Sequence, residues 1–185
     1  MHLILSPHFR CDFSLVALDI DYSGAVEHMT GEFKIDITGD GEINDLKEWV
    51  SCTVSTSTRS SRAVFKSFSQ FAPTEGILID TSHDIKNGII TGQHLFGDQG
   101  GTFADGFEKL EEHDDNGDGM IAGPELDGFM IWTDANSNTI LDDGELSTLE
   151  SHGIVSLSTE HTDMVSYAIL EDGSKMRMED LWFSR

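Results

Sequence analysis

Residues 113–126 read HDDNGDGMIAGPEL, and the order of oxygen-bearing side chains in this stretch dictates a backbone shape. Counting Asp114 as position one, oxygens fall at one (Asp114), three (Asn116) and five (Asp118), a glycine falls at six (Gly119) and a glutamate at twelve (Glu125). A twelve-residue loop that wraps a hard dication needs that order. Alternate side chains point inward, Gly119 takes the sharp turn, Met120 offers its backbone carbonyl at position seven, and Glu125 closes the shell with two oxygens. Ile121 at position eight is the apolar residue such a loop turns toward the core, and Ala122 at nine supplies no side-chain oxygen. A merely solvated loop needs none of these spacings.

Working outward, residues 132–146 read WTDANSNTILDDGEL and repeat the pattern. Asp134, Asn136, Asn138 and Glu145 fill positions one, three, five and twelve, with the Ile140 carbonyl at seven and Asp142 at nine. Thr139 stands where the glycine belongs, and a β-branched residue is costly in a left-handed turn. A weaker or distorted second site is expected. Three partial copies lie upstream. Asp36, Thr38, Asp40 and Gly41 open a loop whose twelfth place holds Lys47; Asp19, Asp21, Ser23 and Gly24 give half a loop; Asp80, Ser82 and Asp84 give a fragment. Each of the three reads first as a turn.

Composition agrees with cation binding. The 185 residues carry 34 acidic against 11 basic side chains, a net charge of -23 that repels nucleic acid and anionic membrane surfaces. Hydrophobic residues make up 38%, enough for one sizeable core or two small ones. No apolar run approaches a membrane span, and LIL at 3–5 is too short for the core of a secretory signal. Export would need another route, or the chain is a piece of a longer one. Cys11 and Cys52 could make one disulfide or none, which leaves the redox compartment open.

The periodicities predict an α+β fold, with short helices and antiparallel strands around the EF-hand-like loops. FADGFEKLEEH (103–113) reads as a helix through Phe103, Phe107 and Leu110, GILID (76–80) as a buried strand, and GELSTLESHG (144–153) as a helix through Leu146 and Leu149 ended by Gly153. Only eight residues separate Glu125 from Asp134, room for one helical turn near Pro124 and a strand FMIW. IVSLS, MVSYAIL and KMRM are strand-like, with Asp172 and Gly173 marking a hairpin. Two parts result: a strand-rich 1–100 with degenerate acidic loops and a Ser/Thr-rich insertion at 51–73, read as loop or linker, and a calcium-binding 101–185 ending in a β-hairpin.

With these segments placed, the chain resembles a family of EF-hand-like calcium-binding modules of large bacterial secreted or surface proteins, often found beside repeats-in-toxin segments. The resemblance is carried by LDIDYSG, FKIDITGDG followed by EWV, GILID, HLFGD, GFEKLEEHDDNGDGMI, IWTDAN, GELSTLESHGI and DLWF. It runs from about Leu15 to Phe183 and is most specific over 95–154. It implies calcium ligation by Asp114, Asn116, Asp118 and Glu125 and by Asp134, Asn136, Asn138 and Glu145, marks Asp36, Thr38 and Asp40 as a loop of the same lineage, and suits an extracellular or cell-surface location. The Ser/Thr segment is an insertion relative to the family, and His94 stands where the family commonly has Glu before LFG. The toxins' glycine-aspartate nonapeptides are absent, so a parallel β-roll is not expected.

Other chemistries fit less well. Asp19-Ile20-Asp21 after a strand could open a phosphatase-type site, but the alternating strand and helix pattern of such enzymes is missing. Eight histidines form no zinc motif. A sensor that exposes a Met-rich groove needs a helix pair to open, and the loops are too closely spaced for one; a dockerin-like adhesion role would need aspartate at position twelve and long flanking helices, which these loops lack. The expectation is therefore a calcium-binding structural module, not an enzyme, with calcium-dependent protein interaction as the alternative. Its partners would be calcium ions and a protein yet to be named, with neither nucleic acid nor membrane insertion.

Overall fold

A computed structural model describes residues 13–24, 26, 28–31, 68–71, 75–99, 102–136 and 140–183. The loop at Asp36, Cys11 and Cys52, and most of the Ser/Thr insertion lie outside the described residues. Along the chain run β1 (Phe13–Leu18), β2 (His28–Gly31), β3 (Phe68–Phe71), β4 (Gly76–Asp80), α1 (Gly106–Glu111), β5 (Met120–Ala122), a 3-10 turn at Gly123–Leu126, β6 (Phe129–Trp132), β7 (Leu146–Thr148), a 3-10 turn at Glu150–His152, β8 (Ile154–Ser158), β9 (Val165–Leu170) and β10 (Lys175–Phe183). Within the stretch 51–73 expected as loop or linker, Phe68–Phe71 forms β3 and pairs with β2.

Eight strands make one antiparallel sheet in the order β5-β8-β9-β10-β1-β4-β6-β7. β1 sits inside it, pairing with β10 from Phe13↔Phe183 to Leu18↔Met178 and with β4 at Ala17↔Ile77. Strand residues alternate between two faces, and each face carries its own core. One holds Val16, Leu18, Leu78, Phe96, Phe107, Leu110, Ile121, Ile131 and Leu157; the other holds Leu15, Ala17, Ile77, Ile79 and Trp132. That double burial is why the SLVAL and GILID runs show no polar alternation.

The expected α+β class is overturned: among the described residues a single six-residue α-helix accompanies the sheet. The segment 144–153 fails as a helix for a visible reason. Leu146, in β7, packs on one face of the sheet and Leu149, in the turn just after that strand, on the other, whereas a helix would put both on one side. Ser147 and Thr148 are also poor helix formers. Only Glu150–His152 turn helically before Gly153, at φ +70°, ends the turn as the sequence indicated.

Other elements fall where the sequence placed them. The helical turn at Pro124 is followed by the FMIW strand, and the C-terminal strands pair through the Asp172-Gly173 turn. α1 is capped by Asp105, whose Oδ1 accepts from Phe107 N and Glu108 N at 2.9 Å each. It buries Phe107 and Leu110. His113, at its exit, sets its ring edge to face against Phe96 and Phe129, with centroids 5.6 and 4.9 Å away. The direction in which the chain enters the Asp114 loop is fixed by these contacts.

Candidate metal centre

The first loop is organised by its first and twelfth residues. Asp114 Oδ2 accepts from Gly119 N at 2.7 Å, and Oδ1 accepts from Gly117 N at 2.8 Å and Asp118 N at 3.2 Å. These backbone donors, Gly119 first, hold the Asp114 carboxyl below the usual aspartate range, so it stays ionised without a basic partner. Gly119 sits at φ +82°, the turn position the spacing required. Asp118 Oδ1 accepts from Met120 N at 2.9 Å.

Glu125 closes the ring from the 3-10 turn. Its Oε1 accepts from Asp115 N at 3.0 Å and from Asn116 N and Nδ2 at 3.3 Å each, while Oε2 accepts from Ala122 N at 3.0 Å. Met120 opens β5, Ile121 is fully buried opposite Leu157, and Thr159 donates both N–H and Oγ–H to the Gly119 carbonyl at 3.0 and 3.1 Å. Positions six to nine of the loop are thus held by the sheet edge behind them.

The second loop spans β6 and β7 as the tip of a hairpin, with Trp132 opposite Leu146 and Thr133 N donating to Glu145 O at 2.9 Å. Glu145 is buried; its Oε1 accepts from Ala135 N at 3.1 Å and its Oε2 from Asp142 N at 3.0 Å and Trp132 Nε1 at 3.3 Å. Asn136 Nδ2 donates to Asp142 Oδ2 at 2.8 Å, joining positions three and nine. Ile140 is exposed and its backbone bridges Ile89, while Leu141 N donates to Gly88 O at 2.7 Å. Asp134 stands at the loop's start, and Asn138 and Thr139 lie outside the described residues.

Placed side by side, the loops share one pattern. In each, the twelfth-position Glu accepts through Oε1 from the N–H of position two and through Oε2 from the N–H of position nine. Their placement departs from that of a paired EF-hand. β5, formed by positions seven to nine of the first loop, is an edge strand against β8, and the second loop joins the sheet at the opposite edge, between β6 and β7.

Of the partial copies, the Asp19 half-loop gains most from the fold. Asp19 Oδ2 accepts from Gly24 N at 2.8 Å and Oδ1 from Ser23 N at 2.9 Å, the same offsets of five and four residues by which Asp114 binds Gly119 and Asp118. Glu75, buried just before β4, brings a carboxylate oxygen within 4.8 Å of ligand atoms on Asp19 and Asp21. These three side chains could hold a cation. Glu75 carries no sequence signal for this, because it lies far along the chain from the Asp19 half-loop and outside every loop spacing. Asp80 instead makes a local turn, accepting from Ser82 N at 2.8 Å, while Asp84 is exposed. His94 Nδ1 accepts from Thr91 N at 2.9 Å, which leaves the ring proton on Nε2, and burial lowers the pKa of the ring. Met176 and Met178 are core residues, which removes them from any exposed methionine groove.

The family model of the SPM domain matches residues 63–184, well over half of the chain. A stretch of 86 residues is 41% identical to the iron-regulated protein FrpA of Neisseria meningitidis serogroup C, in an alignment covering 42% of this chain and 8% of that protein. The chain thus spans a small fraction of that relative's length.

Proposed function

The chain belongs to the SPM domain family, and from that premise we propose that it is a calcium-binding structural module whose loops, one at either edge of the sheet, are set by the ion. The observation that carries this reading is the shared geometry of the two loops, in which Glu125 and Glu145 are held by the same two backbone donors. Asp114, Asn116, Asp118, the Met120 carbonyl and Glu125 would ligate in the first loop. Asp134, Asn136, Asn138, the Ile140 carbonyl and Glu145 would ligate in the second. Oxygen-only donors spread over a twelve-residue loop suit calcium better than magnesium, which demands near-ideal octahedral geometry and gives up its water reluctantly.

The role follows from linkage. An ion that binds only the folded chain favours folding by RT ln(1 + [L]/Kd), about 2.7 kcal/mol when calcium stands at one hundred times Kd. It also relieves repulsion in a chain of net charge -23. Such a module stays looser in a calcium-poor cell and sets in a calcium-rich exterior, which fits export and the resemblance to modules of large secreted proteins. The test is thermal unfolding in chelator, in calcium and in magnesium, for the chain and for Asp114→Ala. A rise in Tm with calcium that the variant mostly loses supports the reading, and no rise with calcium overturns it.

A further inference from the structure

Away from both loops, Asp98, Asp105 and Asp180 are buried, at 5%, 7% and 2% exposure, where the start of α1 meets β1 and β10. Each binds a backbone N–H of a different part of the joint. Asp180 Oδ2 accepts from Gly106 N at 3.0 Å, Asp105 Oδ1 caps α1, and Asp98 Oδ1 accepts from Ser14 N at 3.3 Å while Asp98 N donates to Ser14 Oγ at 3.2 Å. The packing is tight: a Cβ on Gly106 would lie 2.5 Å from Phe96 O and 3.0 Å from Asp180 Oδ1, and one on Gly97 would lie 1.8 Å from Ser14 O. Asp180 Oδ1 is buried without a hydrogen bond of normal geometry, the Ser14 hydroxyl beside it favouring the ionised form only in part.

The charge at this joint is one-sided. Asp98 faces Asp180 from the loop before α1 and Asp105 from the helix cap, both raising its pKa, and β1 offers only the Ser14 hydroxyl. The cation next to the cluster is His161, whose Nε2 lies 3.3 Å from Asp105 Oδ2 and whose ring stacks on Phe107 at 4.9 Å. It reaches Asp180 only through Asp105 and is charged only when protonated. Glu179 and Leu181, the neighbours of Asp180 on β10, alternate to the opposite face.

We propose that Asp180, Asp98 and Asp105 form a proton-operated latch for α1, in which a proton held at Asp180 seats the helix on β1 and β10 and its loss loosens that seat. Burial, then the neighbouring carboxylates, pushes Asp180 up to about 6. The folded chain therefore keeps this proton to higher pH than the unfolded chain, for which the ordinary value is 3.8. The advantage is complete below that ordinary value, declines as pH rises toward 6, and is gone above it, leaving a buried carboxylate beside two others. The latch does not depend on ion binding.

The test uses the full chain in chelator. The Asp180 carboxyl is titrated by carbon NMR, and amide exchange at residues 106–110, corrected for intrinsic rates, is followed from pH 4.5 to 7.5 in wild type and Asp180→Asn. The expected result is an Asp180 midpoint near 6 and an opening equilibrium of α1 that rises about twenty-five-fold between pH 4.5 and 7.5, with a flat profile in Asp180→Asn. The same pH profile in both chains, or an Asp180 midpoint in the ordinary aspartate range, overturns the proposal. If Asp180→Asn does not fold, the wild-type carboxyl titration decides alone.

Discussion

Glu125 reaches back three residues to accept a hydrogen bond from the backbone N–H of Ala122 at 3.0 Å, which ties the twelfth position of the first loop to the start of its 3-10 turn. The contact needs an oxygen and no charge, whereas closing a calcium shell uses both oxygens of an anion. Glu125→Gln keeps one accepting oxygen but turns an amide NH2 toward the N–H groups bound by the other, so it should cost about 1 kcal/mol in chelator and weaken calcium binding on the order of a hundredfold, the scale on which ligand charge tunes such loops. Calorimetric titration of wild type and variant checks this; equal affinities would remove Glu125 from the ligand set.

Glu145 is different because it is buried and holds the Trp132 indole N–H. Glu145→Ala leaves that donor and the N–H groups of Ala135 and Asp142 without their acceptor, so it should lower stability by about 1–3 kcal/mol in chelator as well as in calcium. Urea unfolding followed by tryptophan fluorescence measures both arms. A loss seen only in calcium would show that Glu145 has no structural part of its own.

Gly119, like Gly117 and Gly123 in the same loop, holds a left-handed backbone that disfavours a side chain. At φ +82° an alanine is strained by about 1–2 kcal/mol, although a Cβ there would meet nothing nearer than Glu160 Cγ at 3.7 Å. Gly119→Ala should cost that much in chelator, and Gly119→Asn less, because asparagine tolerates the left-handed region. Equal losses for both variants would point to space and not conformation.

Lys109 is buried with its Nζ donating to the carbonyls of Leu95 at 2.6 Å and Gln93 at 3.0 Å. Lys109→Met keeps the length and removes the donors, and should cost about 1–3 kcal/mol at pH 7. Burial lowers this amine to about 8 from 10.5, so the folded chain releases the proton before the unfolded one does. Wild type should gain stability between those two values as the cost of the buried charge disappears, and Lys109→Met should lack that gain. Denaturant midpoints at pH 7 and 10 compare them.

Some features were legible because they are local. The glycine turn at Gly119, the inward Ile121, the β6 strand and the stop at Gly153 each follow from residues within a few places of one another. The helix expected over 144–153 rests on Leu146 and Leu149, which satisfy a helical spacing but pack against opposite faces of the sheet, Leu146 from β7 and Leu149 from the turn after it. Which arrangement applies depends on β6, a partner that a local pattern does not contain.

By itself the sequence determined the oxygen spacing of two loops and a charge balance that favours cations, both properties of short segments and of composition. Only the tertiary structure decided that strands and not helices flank the second loop, that Glu75 joins Asp19 and Asp21, and that Asp180 lies beside Asp98 and Asp105. Those relations come from the long-range pairing of β1 with β4 and β10. Antiparallel register is set by the burial of both sheet faces at once, and no window of neighbouring residues encodes that energy.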